Sequence, residues 1–409
     1  MSNQSQEYKI NILESGSITS PNGFYSSAVA CGIKKNNAFD LGLLYSENPC
    51  SISALFTQNK LNGDSLKWTK NVLKNNNHFK AIIVNSGNAN TSVGKIGLEH
   101  AQVIAENISK KLAIDPSEVC IASTGIIGIE LPIEKIKNGI QKLQLHKTNG
   151  GDFSNAILTT DTRNKEIAVE IQINDKVFVI AGTAKGAGMI HPNLATMLAF
   201  ITTDLNIEKK WADKILSEII DDTFNMIDID MDTSPCDMVM LMSQANKNQN
   251  IINEKHAFAN AFKEGLYIIC EFLAKEIARD GEGATKLIET KIESASNIHI
   301  AKNAARSVIS SILIKTMVKG KDPNWGRIIT ALGNTLPQLN EEKISIKIGD
   351  ISVYEKGAPM TKNSELAISA MNDEIVTITI NLDAGHASAT AWGCDLTEEY
   401  VKINSEMTT

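Results

Sequence analysis

The segment Lys185-Gly186-Ala187-Gly188-Met189-Ile190-His191-Pro192-Asn193-Leu194-Ala195-Thr196 constrains this chain more than any other. It is a run of small, loop-like residues ending at Ala195-Thr196. The adjoining stretch Thr196-Met197-Leu198-Ala199-Phe200-Ile201 is apolar and reads as a buried strand. In an intact chain a threonine at the head of a core strand is ordinary. If the Ala195–Thr196 bond is cut, the Thr196 hydroxyl lies beside its own free α-amine, one of the known ways to activate a weak hydroxyl nucleophile. Cleavage needs that hydroxyl to attack the Ala195 carbonyl, an N→O shift whose ester is then hydrolysed. The tetrahedral intermediate carries an oxyanion, which requires fixed donors. Such a chain is a self-processing enzyme. Ala195-Thr196 alone more often marks a plain strand start.

The remaining bulk features narrow the partners. A net charge of −7 with no Lys/Arg run gives no footprint for nucleic acid, so small molecules are the expected substrates. The length of 409 residues suggests two or three domains. Cys31, Cys50, Cys120, Cys236, Cys270 and Cys394 are dispersed without CxxC spacing, which argues against zinc and against a disulfide framework and fits a reducing cytoplasm. The polar start of the chain has no signal-peptide character, and no apolar run reaches about 18 residues, so no membrane span is expected.

Hydrophobic periodicity predicts short buried strands at 80–84 and 119–122. Each runs into turn-rich sequence, 85–91 and 123–128 respectively. Residues 166–173 and 176–181 read as a hairpin about Asn174-Asp175. Helical spacing appears at 97–112, 205–223, 254–280, 301–318 and 325–332, and strand alternation at 343–348 and 374–381. Helices and hairpins mixed in both halves imply an α+β layered architecture with mainly antiparallel sheets flanked by helices. There is no internal repeat. The one natural division is functional: 1–195 and 196–409.

Several constellations are candidates for chemistry. Ser123-Thr124-Gly125 comes after a strand, and consecutive backbone N–H groups in such a turn can converge on an anion, although an ordinary turn is the commoner meaning. Lys185, before Gly186-Ala187-Gly188, can present an ammonium to a carboxylate, but alone it reads as a solvated loop lysine. No P-loop pattern accompanies it. Glu282, flanked by Gly281 and Gly283, sits where backbone can approach a ligand, yet alone it reads as an exposed residue at a helix C-cap. His191 reads as a structural loop residue. Asp228, Asp230 and Asp232 alternate as if on one strand face, with capping roles favoured over a metal site.

Taken together these pieces resemble the glutamate N-acetyltransferase, or ornithine acetyltransferase, family of arginine biosynthesis. The resemblance covers nearly the whole chain. It is carried by Ser86-Gly87-Asn88-Ala89-Asn90, Ser123-Thr124-Gly125-Ile126-Ile127-Gly128, Thr159-Thr160-Asp161-Thr162, Lys185-Gly186-Ala187-Gly188-Met189 and Asn193-Leu194-Ala195-Thr196-Met197-Leu198. It continues in Asp280-Gly281-Glu282-Gly283-Ala284-Thr285-Lys286, Asp322-Pro323-Asn324-Trp325-Gly326-Arg327, Ala391-Trp392-Gly393-Cys394-Asp395-Leu396 and Tyr400-Val401-Lys402-Ile403-Asn404. The ordered set outweighs the bland meaning of each part.

The resemblance implies autocleavage between Ala195 and Thr196 into an α chain 1–195 and a β chain 196–409, assembled as an α2β2 heterotetramer. Thr196 would be the acetyl-accepting nucleophile, Thr124 and Gly125 the oxyanion-hole amides, and Thr159, Lys185, Thr196, Glu282, Asn404 and Thr409 the substrate-binding positions. The implied fold is a layered α/β sandwich. The implied reaction is ping-pong acetyl transfer from N2-acetylornithine to glutamate, with no cofactor and no metal. Some family members also take acetyl-CoA as donor, and these residues do not separate the two cases. Two segments depart from the family pattern: Thr91-Ser92-Val93, and the stretch with Met231 where a glycine is usual and Pro235-Cys236 where a Thr-Asn pair is usual. The competing readings are a self-processing hydrolase or aminopeptidase on the same scaffold, with water as acceptor, and a non-catalytic chain that keeps the fold.

Overall fold

The computed structural model describes residues 7–148, 150–191, 197–245, 250–336 and 338–406. The larger sheet contains β1 (Tyr8–Ile12), β2 (Phe24–Val29), β3 (Leu41–Phe56), β4 (Phe79–Asn88), β5 (Val119–Ile126), β6 (Lys165–Ile173), β7 (Lys176–Lys185), β8 (Leu198–Thr203) and, after the short β9 (Ile227–Asp228) of the second sheet, β10 (Met238–Gln244). Its order is β1-β6-β7-β8-β10-β3-β4-β5, with β2 also paired to β3. Strands β11 (Leu287–Ala295), β12 (Ser345–Ile348), β13 (Ile351–Glu355), β14 (Ala358–Pro359), β15 (Ile375–Asn381) and β16 (Ala387–Cys394) complete a seven-stranded sheet ordered β14-β13-β12-β15-β11-β16-β9. Most pairings are antiparallel; β8/β10, β4/β5, β11/β15 and β9/β16 are parallel. The result is the expected α+β layered sandwich.

The apolar run after Thr196 becomes β8 because both of its faces are covered. Leu198 and Phe200 point into one cluster with Met238, Met240 and Met242, whereas Ala199 and Ile201 point into another with Val239 and Leu241. The period-2 alternation of a strand thus serves two cores at once. The second core is built on the helix Ala259–Arg279, whose buried stripe Phe262, Leu266, Ile269, Leu273 and Ile277 keeps helical spacing. This helix packs on β6 and β7 of the larger sheet and on β11 and β16 of the smaller one. It therefore joins the layers.

The segments before and after residue 195 do not form separate bodies. β7 and β8 are antiparallel neighbours, with Lys185 opposite Leu198, and β8 and β10 are inserted between β7 and β3. The sheet is continuous across the connection 186–197.

Three local expectations need correction. The sequence 85–91 is not all turn, because β4 runs to Asn88; 123–128 is not a turn either, because β5 runs to Ile126. In both cases the parallel pairing of β4 with β5 outlasts the apolar residues that signalled it. The helical pattern at 301–318 is two helices, Ile298–Ser310 and Ile312–Gly320, broken where Ser311 turns extended and its side chain accepts from the Ile314 amide as an N-cap.

Candidate active site

The end of the β4/β5 pair has an unusual shape. Partners run in register from Ala81↔Val119 to Gly87↔Gly125, and then Asn88 is matched by both Thr124 and Ile126, a bulge. Gly125 has φ +127°, and a Cβ there would lie 2.3 Å from the Gly87 carbonyl carbon and 2.5 Å from the Asn88 nitrogen. Only glycine fits. A buried polar cluster fixes the strand ends from below. Ser123 Oγ donates to Asn85 Oδ1 (2.6 Å) and shares a hydrogen bond with Ser65 Oγ (2.6 Å), while Asn90 Nδ2 donates to Ser65 Oγ (3.1 Å). Thr124 and Gly125 face a cavity of about 520 Å³.

Lys185 closes β7 and is only 3% exposed, so the solvated-loop meaning is excluded by its burial. Beside it, the wholly buried carboxylate of Asp161 accepts from the Gly186 amide (2.7 Å), the Thr159 amide (3.0 Å) and Lys165 Nζ (2.7 Å). One side chain thereby sets both the Thr159 turn and the chain leaving Lys185. Lys165 Nζ also donates to Asp280 Oδ2 at 2.5 Å, completing a buried three-member ionic chain. Burial alone would raise the Asp161 carboxyl, but Lys185 and Lys165 outweigh it and hold it well below the usual carboxylate range. Asp237 goes the other way: burial pushes it well above that range, against the pull of Lys185.

Glu282 is 6% exposed, not the exposed cap its flanking glycines suggest in isolation. Its amide donates to Ala187 O (2.7 Å), and its Oε2 accepts from Asn404 Nδ2 (2.7 Å). Asn404 lies on the helix Glu398–Glu406, which docks so closely that a Cβ on Gly283 would fall 2.7 Å from the Tyr400 nitrogen. The neighbouring loop is held by Asp230, which accepts from the Met189 (2.6 Å) and Ile190 (2.9 Å) amides. His191 Nδ1 meets the buried Asp228 at 2.8 Å, and Lys315 Nζ lies 3.0 Å from the other Asp228 oxygen. The three aspartates therefore do not share a strand face. β9 stops at Asp228, and Met231 turns left-handed, breaking the alternation. Among the described residues there is no cluster of three or more metal-ligating side chains and no helix long and apolar enough to cross a membrane.

Thr124, Gly125, Thr159, Lys185, Glu282 and Asn404 all line the one cavity. Across residues 25–409 the sequence matches the ArgJ family. The chain belongs to the ArgJ family. It is 43% identical over 401 residues to the "arginine biosynthesis bifunctional protein ArgJ" of Oceanobacillus iheyensis, covering 98% of each chain. Solved structures include an arginine biosynthesis bifunctional protein of Bacillus halodurans (36% identity, 46% of this chain and 99% of that one, TM-score 0.44). Another is an ornithine acetyltransferase complexed with ornithine from Mycobacterium tuberculosis (33% identity, 45% of this chain and 98% of that one, TM-score 0.42).

Of the remaining expected positions, Ala195, Thr196 and Thr409 lie outside the described residues. The two segments expected to depart from the family pattern meet in space. Thr91 Oγ1 and Cys236 Sγ are 3.1 Å apart, and both are within hydrogen-bonding reach of Ala89 O (3.0 and 3.3 Å). Each departure also includes a left-handed residue, Ser92 at φ +59° and Met231 at φ +67°. Sequence reasoning missed the loop Ile33–Asn36, Ser234 and Cys236, which also line the cavity. The signal for the loop was Asp40, whose carboxylate accepts the amides of Cys31, Gly32, Ile33 and Lys34 at 2.6–3.1 Å.

Proposed function

We propose that the chain is a glutamate N-acetyltransferase of arginine biosynthesis, moving the acetyl group of N2-acetylornithine to glutamate through an acetyl ester on Thr196. The observation that carries this reading is the convergence of the Thr124-Gly125 bulge, Lys185 and Glu282 on one cavity, inside the size range of small-molecule sites. Thr196 attacks the acetyl carbonyl, its α-amine taking the hydroxyl proton; an unperturbed α-amine titrates near 7.7–8.0, suited to that task at neutral pH. The Thr124 and Gly125 amides receive the oxyanion. The α-ammonium gives that proton to the departing ornithine nitrogen as the C–N bond breaks, glutamate enters the same cavity, and its amine takes the acetyl group in the reverse sequence of steps, its proton passing through the α-amine back to the Thr196 oxygen. Lys185 pairs with the α-carboxylate that both amino acids share, and Glu282 faces the side-chain ammonium of ornithine. Acetyl exchange between two amines is close to thermoneutral, so the substrates require no cofactor.

The same reading includes autocleavage at Ala195–Thr196 in the cytoplasm and an α2β2 assembly. Because β8 and β10 sit between β7 and β3, cleaved chains would remain woven into one sheet. The test is the intact mass of the purified protein beside Thr196→Ala. Two fragments separating at Ala195/Thr196 in the parent, with an uncut variant, support it; one full-length chain in both sinks it. Ornithine release that proceeds at full rate without glutamate would instead point to the hydrolase reading.

A further inference from the structure

We propose that Lys34 binds the side-chain carboxylate of the acetyl acceptor and so selects a dicarboxylic amino acid for the second half-reaction. The inference rests on the acetyl-transfer reading above and extends it. A ping-pong pocket of that kind must hold two side chains of opposite charge in turn, a terminal ammonium and then a terminal carboxylate. Glu282 suits the first and repels the second. Lys185 is committed to the α-carboxylate that does not change. The second substrate therefore needs another cation.

Lys34 is the cavity-lining group built for this. The loop that carries it is pinned by Asp40, which accepts four successive amides, Lys34's own among them. The Lys34 stem lies against Gly87, with Cγ 3.2 Å from where a Cβ would stand, and Gly87 is the register partner of Gly125. The lysine thus crosses the very strand end that bears the Gly125 amide. Its Nζ donates to Phe39 O at 2.8 Å, its one hydrogen bond among the described residues, and an ammonium carries three donors. It is half-buried, whereas Lys35 beside it is exposed. The charged groups acting on it are Asp40, Asp161 and Lys185. Burial lowers its pKa to about 8, Asp40 and Asp161 pull it up, and Lys185 pushes it down.

The test separates the half-reactions in Lys34→Met, Lys34→Arg and the parent. Acetylation by acetylornithine is followed as the acetyl adduct and released ornithine; deacetylation is followed with glutamate, glutamine and hydroxylamine as acceptors. In Lys34→Met, kcat/KM for glutamate should fall about 10–100-fold, the range expected when a charge-paired contact is lost. The fall should be at least tenfold larger than for glutamine, hydroxylamine or the acetylation step. Lys34→Arg should recover part of the preference for glutamate over glutamine. Equal losses for glutamate and glutamine, or an acetylation defect as large as the glutamate defect, overturn the assignment of Lys34 alone. A parent enzyme that forms no acetyl adduct overturns the acetyl-transfer reading itself, and Lys34's role with it.

Discussion

The carboxylate of Glu282 fills the space a side chain on Gly188 would need: a Cβ there would lie 2.4 Å from Glu282 Cδ and 2.5 Å from both carboxylate oxygens. The obstruction is the far end of a flexible side chain, so Gly188→Ala should displace Glu282 rather than break the backbone. The hydrogen bond from Asn404 would be lost with it. We expect kcat/KM for acetylornithine to fall at least about tenfold, the effect of losing one charged contact. The melting temperature should shift by less than about 3 °C. Gly333→Ala, where nothing stands within 4 Å, serves as control. Parental kcat/KM in Gly188→Ala would show that the position of Glu282 does not matter to turnover.

Lys165 is a positioning residue and not a ligand of the substrate. Its side chain is fully buried between Asp161 and Asp280. Lys165→Met removes the cation that bridges two buried carboxylates, leaving Lys185 to act on Asp161 and Arg163 to lie 3.9 Å from Asp280, and should cost about 3 kcal/mol at pH 7. The pH dependence has a definite sign. Asp161 is held below its unfolded value, so its ionic pairing stabilises the fold above about pH 4 and is lost as the pH falls through the lower folded-state value. The gap between parent and variant in urea unfolding should therefore narrow below pH 4. A gap that is constant from pH 7 to pH 3 would mean that packing, not charge, sets it.

The features legible in the sequence were legible because they are local. The continuous apolar run of β8 announces burial on both faces. Thr124-Gly125 and Glu282 stood out only through the ordered set of motifs, since alone the first reads as an ordinary turn and the second as an exposed cap. The Asp161–Lys165–Asp280 chain was not legible, since Asp280 lies 115 residues from Lys165. Nor was the seating of Lys34, which depends on Asp40 folding back over its loop and on Gly87 receiving its stem. Ser311 hid for another reason. The apolar spacing runs on through it, so periodicity alone sees one helix where the chain makes two.

Glu166 offers a clean pH measurement away from the cavity. Burial pushes its carboxyl up to about 7, opposed only by a long hydrogen bond from the Ile18 amide (3.5 Å). The native state therefore holds this proton when the unfolded chain has released it. Stability is lost as the pH rises from about 4.5, the unfolded value, to about 7. Glu166→Gln keeps the shape without the charge. It should be more stable than the parent by on the order of 2 kcal/mol at pH 8 and nearly equal to it at pH 4. A variant that gains nothing at pH 8 would show that Glu166 is ionised at no cost in the folded protein.

Thr91 and Cys236 come from the two segments expected to depart from the family pattern, and they touch. Their 3.1 Å contact and their common acceptor at Ala89 O make them a matched pair filling the space opposite Gly63, where a Cβ would be 2.6 Å from Thr91 Oγ1 and 2.9 Å from Cys236 Sγ. Thr91→Val and Cys236→Ala should each destabilise by about 1–2 kcal/mol, because each removes a buried partner. The double variant should fall short of their sum by about 0.5–1 kcal/mol, the signature of direct coupling. The same burial pushes the Cys236 thiol up to about 12. Although it lines the cavity, it should resist iodoacetamide at pH 8 in the folded enzyme and react once urea unfolds the chain. Strict additivity of the two substitutions would show that Thr91 and Cys236 are not energetically coupled, and rapid alkylation of native Cys236 would show that the thiol belongs to the reactive surface of the site.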